Sequence, residues 1–253
     1  MTLLAVERIK LFTTRSPLWC TLAAIAVTVG FSALVTGTAK GLTPSITTTQ
    51  FGINFGLMVI MVMATLAITT EYRFGTIRAT FQAIPNRFST LLAKTAVVAL
   101  FAGLVGEVAA FGSVAIAKLV KSSASLGIDT AFEWRAVAGV GLVYAISAVI
   151  AIAVGLLIRH SAGAVSILLI YSLLVENLVA LIPEVGDDIQ KWMPFNVANK
   201  FLSGDPDPSN VMVGEGPQAS TATLSPWWAL AYFAGFAIVV LAIALVTANK
   251  RDA

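Results

Sequence analysis

The sequence predicts an all-α integral membrane protein with six transmembrane helices. Only 11% of its 253 residues are charged, whereas soluble domains carry about 25%. The mean hydropathy is +0.89, and continuous apolar runs of about 20 residues recur along the chain. These runs lack the alternation of membrane β-strands. The composition excludes a soluble enzyme, a soluble nucleic-acid-binding protein and a disordered chain.

Six apolar runs form one predicted transmembrane domain over residues 1–253. Each run is long enough to cross a hydrocarbon core of about 30 Å at the helical rise of about 1.5 Å per residue. The predicted spans are Leu18–Thr38, Phe51–Thr70, Leu91–Ala117, Ala136–Ile158, Ala162–Ile182 and Trp227–Ala248. Lys94 is the one basic residue inside them, and we expect it near one end of the third span.

Residues 1–16 precede the first span and predict an amphipathic helix at the membrane interface. Apolar residues recur at helical spacing, and Glu7, Lys10 and Arg15 are interspersed among them. Such a pattern favours a helix lying flat in the headgroup region. Ser16 and Pro17 are expected to turn the chain into the membrane, because proline is tolerated in the first helical turn.

The distribution of basic residues predicts that both termini are cytoplasmic. With the N-terminus inside, ten of the sixteen Lys and Arg residues fall in the inner segments, and eight of the thirteen acidic residues fall outside. An excess of Lys and Arg in cytoplasmic loops is the usual determinant of orientation. On this basis residues 71–90 form an inner loop and residues 183–226 the longest outer one.

The inner loop at 71–90 carries the strongest local pattern. Phe74, Ile77, Arg78 and Phe81 lie at helical spacing, and Pro85 should end that helix near residue 83. Glu71 is expected to tether the loop to its own helix, with Arg78 two turns away. A short amphipathic helix with aromatic and basic residues suits docking to a cytoplasmic partner; the alternative is that its charges only fix the topology.

The order Glu-x-x-x-Gly-Thr-x-Arg-x-Thr from residue 71 to residue 80 resembles the cytoplasmic loop of type-2 ABC exporter permeases. The six spans, the amphipathic start and the long last outer loop also match that family. The resemblance implies that the loop is a coupling helix held by an ATPase subunit, and that the N-terminal helix also contacts this subunit. The coupling residues would be Glu71, Arg73, Phe74, Gly75, Thr76 and Arg78, with Glu7, Lys10 and Arg15 in the interfacial helix.

The same resemblance implies a complete transporter of two permease chains and two cytoplasmic ABC ATPase subunits in a bacterial cell membrane. The second permease chain is identical or homologous, and the substrate path lies between the two. ATP and Mg²⁺ would bind the ATPase, because this chain contains no glycine-rich phosphate-binding loop. The chain itself is expected to bind no cofactor and to be no enzyme.

Metal and thiol chemistry find little support in the sequence. There is one histidine, His160, and one cysteine, Cys20, whereas a zinc site needs three or four such ligands. His160 is expected at an interface at the end of the fourth span. Asp205 and Asp207 lie in a turn-rich part of the outer loop, where two carboxylates are more typical of turns than of a calcium site.

Three polar residues inside spans are candidates for the substrate path or for interhelical hydrogen bonds. Glu107 and Glu176 are predicted at similar depth in the outer half, where an ionised carboxylate requires a partner, a wet cavity or a protein interface. If the role of these carboxylates is structural, we expect an interhelical hydrogen bond, for instance to Asn177 or Tyr171. Asn54 is a candidate interhelical donor.

Small residues predict where helices approach closely. Gly52 and Gly56 are spaced four apart in the second span, and Ser147, Ala151 and Gly155 form a stripe in the fourth. Such positions let backbones pack without intervening side chains. The pattern leaves open whether they face this chain or a second copy.

Two other functions remain open at this stage. One is a carrier driven by protons through Glu107 and Glu176, and the other is a membrane scaffold or assembly factor without transport. The sequence does not identify a substrate, and the direction of transport follows from the family resemblance alone.

Overall fold

The computed structural model describes residues 3–38, 44–84, 86–122, 126–204 and 220–251. Within these ranges the chain is helical and contains no β-strand. Six helical segments are long and apolar enough to cross a membrane, as the sequence predicts. They comprise Arg15–Thr38, Ile46–Arg73, Arg87–Val120, Ala131–Ile158, Ser161–Val179 and Pro226–Lys250.

Six helices occur in the described part of the chain up to residue 122. They are α1 (Leu3–Thr13), α2 (Arg15–Thr38), α3 (Ile46–Thr49), α4 (Ile53–Arg73), α5 (Thr76–Ala83) and α6 (Arg87–Val120). The break between α1 and α2 falls at Thr14, just before the predicted turn at Ser16 and Pro17. Helix α5 ends at Ala83, close to the predicted end; Pro85 itself lies outside the described residues. The 34 residues of α6 extend beyond the predicted third span at both ends.

The second half begins with α7 (Ala131–Ile158) and α8 (Ser161–Ile170). A π-helical turn at Tyr171–Val175 follows and leads into the short α9 (Glu176–Val179). Two further helices, α10 (Gly186–Gln190) and α11 (Pro194–Ser203), precede the last span, α12 (Pro226–Arg251). His160 caps α8, because its Nδ1 accepts a hydrogen bond from Gly163 N at 3.1 Å.

Helix α7 lies at the centre of the bundle. It packs against α4, α6, α11 and α12, and 61% of its most apolar window is buried. Its composition allows this position, because its interior from Ala136 to Ile158 contains no charged residue. Helix α2 and the segment from α8 to α9 lie at the periphery, with 17% of each window buried.

Small residues bring the helices together within this one chain. A Cβ added at Gly52 would lie 2.5 Å from Thr28 O of α2, and one added at Gly155 would lie 2.6 Å from Ile68 Cγ2 of α4. Buried Tyr144 of α7 donates a hydrogen bond to Ile53 O at 2.6 Å. The close approaches predicted at Gly52 and Gly155 therefore involve neighbouring helices of the same chain.

Candidate functional site

Four charged side chains meet where α1, α4 and α6 come together. Glu7 and Lys10 come from α1, Glu71 from the last turns of α4, and Lys94 from the start of α6. We call these four residues the ionic ring. Glu7 and Lys94 are buried, at 3% and 6% side-chain exposure, while Lys10 at 34% lies closer to solvent. Buried charges require such partners, because each loses its hydration.

The charges of the ionic ring alternate around its circumference. Lys94 Nζ lies 2.5 Å from Glu7 Oε2 and 3.0 Å from Glu71 Oε1. Lys10 Nζ closes the circle, at 2.9 Å from Glu7 Oε1 and 3.5 Å from Glu71 Oε1. Two carboxylates and two ammonium groups give the ring a net charge of zero. Each ammonium group contacts both carboxylates, so removal of any member leaves an unbalanced charge.

Lys10 also connects the ionic ring to α5. Its Nζ donates a hydrogen bond to Thr80 Oγ1 at 3.1 Å, 70 positions further along the chain. Partial burial acts to lower the pKa of Lys10, but the hydrogen bond to Glu7 and the charge of Glu71 outweigh it and hold the pKa above its usual value. The ring therefore joins α1, α4, α5 and α6 through charged contacts.

Helix α5 projects from the bundle with an exposed polar face. It begins after Gly75, whose φ of +70° lies in the left-handed region that glycine adopts without strain. Within α5 Ile77 is buried, while the adjacent Arg78 is exposed. Phe74 is 72% exposed, with the Arg73 guanidinium 5.6 Å from the centre of its ring.

Two predictions about this loop are wrong. Glu71 does not tether the loop through Arg78, because its carboxylate contacts Lys10 and Lys94 instead. Phe74 is also not part of the amphipathic helix; it lies in the turn before α5, because the chain reverses at Gly75. The exposed aromatic and basic groups that were expected are nonetheless present at Arg73, Phe74 and Arg78.

Helix α1 does not turn all of its charged residues toward solvent, as a simple amphipathic helix at the membrane interface would. Glu7 faces the bundle, whereas Leu4 and Phe12 are exposed at 51% and 63%. Phe12 packs edge-on against Phe101 of α6 at 5.3 Å between ring centres. Arg15 begins α2 and is exposed. The partner charge on Lys94 explains why a carboxylate turns inward here.

Sequence reasoning missed Lys94 and Thr80 as members of this site. The signal for Lys94 was available, since a lysine inside an apolar span requires a carboxylate partner. Glu7 and Glu71 were the acids expected on the same side of the membrane. The hydrogen bond from Lys10 to Thr80 gives no comparable signal, because it depends on how α1 crosses α5.

Cationic side chains also stack on aromatic rings around the ends of α4, α5 and α7. Arg159 ends α7 in the left-handed conformation, with φ +57°. Its guanidinium lies 4.8 Å from the centre of the Tyr72 ring of α4. The Arg87 guanidinium lies 5.5 Å from the ring centre of Phe81. Arginine stacking of this kind contributes roughly 0.5–1 kcal/mol at exposed sites. Arg87 thereby connects α6 to α5, and Arg159 connects the end of α7 to α4.

A cavity of about 460 Å³ adjoins the ionic ring. One part of its wall is apolar, with Met63 and Ala67 of α4 and Val97 of α6. The other part contains the ring itself and hydroxyl groups from the junction of α1 and α2. Polar and apolar walls therefore meet in one cavity whose size is typical of small-molecule sites.

Glu176 is one of the three polar candidates inside the predicted spans. It begins α9 and is 4% exposed. Its two carboxylate oxygens accept hydrogen bonds from the backbone N–H groups of Phe195 at 3.0 Å and Asn196 at 2.8 Å. These groups form the N-terminus of α11, which favours negative charge. The expected partners were wrong, since Asn177 donates to Leu173 O and the Tyr171 hydroxyl to Met193 Sδ.

Glu107 and Asn54, the other two polar candidates inside the predicted spans, are less buried than Glu176. Glu107 lies against Gly141 of α7, where an added Cβ would overlap its Oε1, and it is partly exposed. Asn54 is also partly exposed, and its side chain donates no hydrogen bond to any part of the chain that the structure describes. The interhelical hydrogen bond predicted for Asn54 is therefore absent from that part.

We expect Glu176→Gln to destabilise the attachment of α11. The substitution keeps the shape but points an NH₂ group at a backbone N–H, which leaves a buried donor unsatisfied at a cost of about 1–3 kcal/mol. Thermal unfolding in mild detergent should show a lower midpoint. Glu184→Gln is the matched control, because Glu184 is exposed. Equal midpoints for the two variants would contradict a structural role for Glu176.

No group of three or more His, Cys, Asp or Glu residues positioned to hold a metal ion occurs in the described ranges. Asp205 and Asp207, considered as a calcium pair, lie outside those ranges. A scan of protein-family models finds none that matches the chain. A search of curated proteins also finds no significant match. The function proposed below is therefore inferred from the geometry of the site.

Proposed function

We propose that this chain is the permease subunit of an ATP-driven ABC exporter, with both termini in the cytoplasm. In this proposal α1 lies at the inner membrane interface and α5 is the coupling helix. Two permease chains, identical or homologous, form the substrate path, and two separate ABC ATPase subunits bind ATP and Mg²⁺. The chain itself catalyses no reaction and resides as a multi-pass protein in the bacterial cell membrane.

The observation that carries the proposal is the connection of α5 to the membrane spans through the ionic ring. A coupling element must present a surface to its partner and transmit force to the spans. Helix α5 offers the exposed Arg78 beside the exposed Phe74. Behind this surface, Lys10 hydrogen-bonds Thr80 of α5 and pairs with Glu71 of α4.

The mechanism follows from these contacts. Closure of the ATPase dimer would displace α5, and the displacement would pass through Thr80 and Lys10 to α1. It would also pass through the short turn at Phe74 and Gly75 to α4, and from Glu71 to Lys94 of α6. Movement of α4 and α6 against α7 would then open the path. Since the ionic ring is neutral and internally paired, it can move as one unit with its ion pairs intact.

The surroundings of Glu107 and Glu176 give little support to the alternative that the chain is a carrier driven by protons. Both oxygens of Glu176 already accept backbone hydrogen bonds, which favours a structural role in holding α11. Glu107 packs against Gly141, and proton relays usually need a chain of titrating groups. The scaffold alternative has no specific observation in its favour.

We expect Arg78→Glu to abolish co-purification of an ABC ATPase from native membranes, because it reverses the charge of the docking surface. Tagged wild-type chain should retain a stoichiometric ATPase. Lys250→Glu is the matched control, since Lys250 is an exposed basic residue at the end of α12 and is also predicted to be cytoplasmic. Equal retention of the ATPase by Arg78→Glu and the control would contradict the role of α5. Absence of any ATPase from the wild-type preparation would overturn the proposed function itself.

A further inference from the structure

The cavity beside the ionic ring combines an apolar wall with a polar end. Met63 lies eight residues before Glu71 on α4, a separation of about 12 Å along the helix. Met63, Ala67 and Val97 line the apolar part, and Glu71 and Lys94 the polar part. This arrangement fits an amphiphile with an aliphatic chain beside α4 and a polar group at the ionic ring.

The hydrogen-bonding groups of the cavity are mostly acceptors. A hydroxyl has one proton and two lone pairs. Thr13, Thr14 and Thr70, which line the cavity, donate their protons to the backbone oxygens of Lys10, Leu11 and Leu66, respectively. Their oxygens retain lone pairs, and no proton remains for a ligand. A ligand at this position can therefore donate hydrogen bonds to these three hydroxyl oxygens.

The ionic ring also has an acceptor available for a ligand. Of the two carboxylate oxygens of Glu71, Oε1 contacts both lysines, and Oε2 contacts no donor in the described part of the chain. Lys10 contacts two carboxylates and the Thr80 hydroxyl, and Lys94 contacts two carboxylates. The ring therefore has an acceptor to offer at Glu71 Oε2, while most of its N–H donors are engaged.

A primary ammonium group supplies three N–H donors at one point and matches these acceptors. The ring is neutral, so a headgroup that is also neutral overall fits it better than a lone cation. Exposed Arg15 and Arg73 flank cavity-lining residues in the sequence, and arginine is a favoured partner of phosphate. A zwitterionic headgroup with an ammonium and a phosphate meets both conditions.

We propose that this cavity binds a membrane aminophospholipid, with its ammonium group at Glu71 and the threonine hydroxyls and one acyl chain along Met63, Ala67 and Val97. The proposal concerns binding alone and is independent of transport. A bound lipid would lie between α1, α4 and α6 and would contact the ionic ring directly. Its occupancy would then influence how firmly α1 is held against the bundle.

Native mass spectrometry of the full chain in mild detergent tests this binding without an ATPase or a transport substrate. Delipidated protein is given phosphatidylethanolamine, phosphatidylcholine or phosphatidylglycerol with identical acyl chains. We expect one phosphatidylethanolamine per chain to be retained about tenfold more strongly than phosphatidylcholine, whose headgroup has no N–H donor. Equal retention of these two lipids, or preferred retention of phosphatidylglycerol, would overturn the proposal.

Variants localise the bound lipid. Ala67→Trp fills the cavity and should lose the retained phosphatidylethanolamine, while Ala96→Trp, at an exposed position on α6, should keep it. Thr14→Val removes one acceptor at an exposed position and should lower the preference for phosphatidylethanolamine over phosphatidylcholine. Unchanged retention in both Ala67→Trp and Thr14→Val would contradict the assigned site.

A soluble amine could supply the same ammonium chemistry, and dodecylamine distinguishes the two sources. We expect dodecylamine to compete with phosphatidylethanolamine only at higher concentration, because it lacks the phosphate. Tighter binding of dodecylamine than of the lipid would overturn the assignment to a membrane lipid.

Discussion

Lys94→Met is expected to cause one of the two largest losses of stability, because it leaves the buried Glu7 and the partly buried Glu71 with only Lys10 between them. Removing one partner of a buried ion pair typically costs about 3–5 kcal/mol. Thermal unfolding in mild detergent should show a midpoint lower by on the order of 10 °C. The methionine keeps the length and apolar stem of the lysine, so the loss reports the charge.

A double variant separates charge from packing at the ionic ring. Lys94→Met alone leaves the ring with a net charge of −1, and Glu7→Gln in the same chain returns it to zero. We therefore expect the double variant to regain part of the lost stability. Lys191→Met is the exposed control, because it breaks the exposed ion pair with Asp188 and such pairs contribute little. Equal losses in the single and double variants would show that helix packing, not charge, explains the effect.

Gly52→Ala is the second large effect, because no side chain fits between α4 and α2 at this position. The added Cβ would lie 2.5 Å from Thr28 O and 2.9 Å from both Thr28 Cα and Phe31 Cβ. Two of these three atoms belong to the backbone, so the overlap can be relieved only if a whole helix shifts. Overpacking of this kind costs about 1–3 kcal/mol.

Gly30→Ala on α2 is the matched control for Gly52→Ala. A Cβ at Gly30 meets no atom within 4 Å, and alanine favours a helix over glycine by about 1 kcal/mol. The control should therefore unfold at the same temperature as the wild type or slightly above it. Equal losses for both substitutions would contradict the close approach of α2 and α4.

The ionic ring connects these stability effects with the proposed function. A coupling helix that was held only by its chain connections would move without displacing the spans. Lys10, Glu71 and Lys94 instead link α1, α4 and α6, and Thr80 adds α5. Lys94→Met should therefore impair coupling as well as stability, whereas Gly52→Ala acts away from α5 and should spare ATPase binding in the folded fraction.

The sequence by itself determined the helical fold and the six segments that are long and apolar enough to cross a membrane. Continuous apolar runs of about 20 residues are interpretable one segment at a time, because the backbone of a lipid-exposed segment must satisfy its own hydrogen bonds. The same local information predicted the amphipathic segment at α5 and its end near residue 83. It also identified Gly52 and Gly155 as positions of close packing.

Only the tertiary structure decided which polar groups meet. Glu71 pairs with Lys10 and Lys94, not with Arg78, because α1 and α6 pass closer to its carboxylate than α5 does. Glu176 binds the start of α11, 19 residues further along the chain, because the segment that follows α9 folds back onto it. Such partners depend on how separate helices cross, and the period of a single helix carries no information about that crossing.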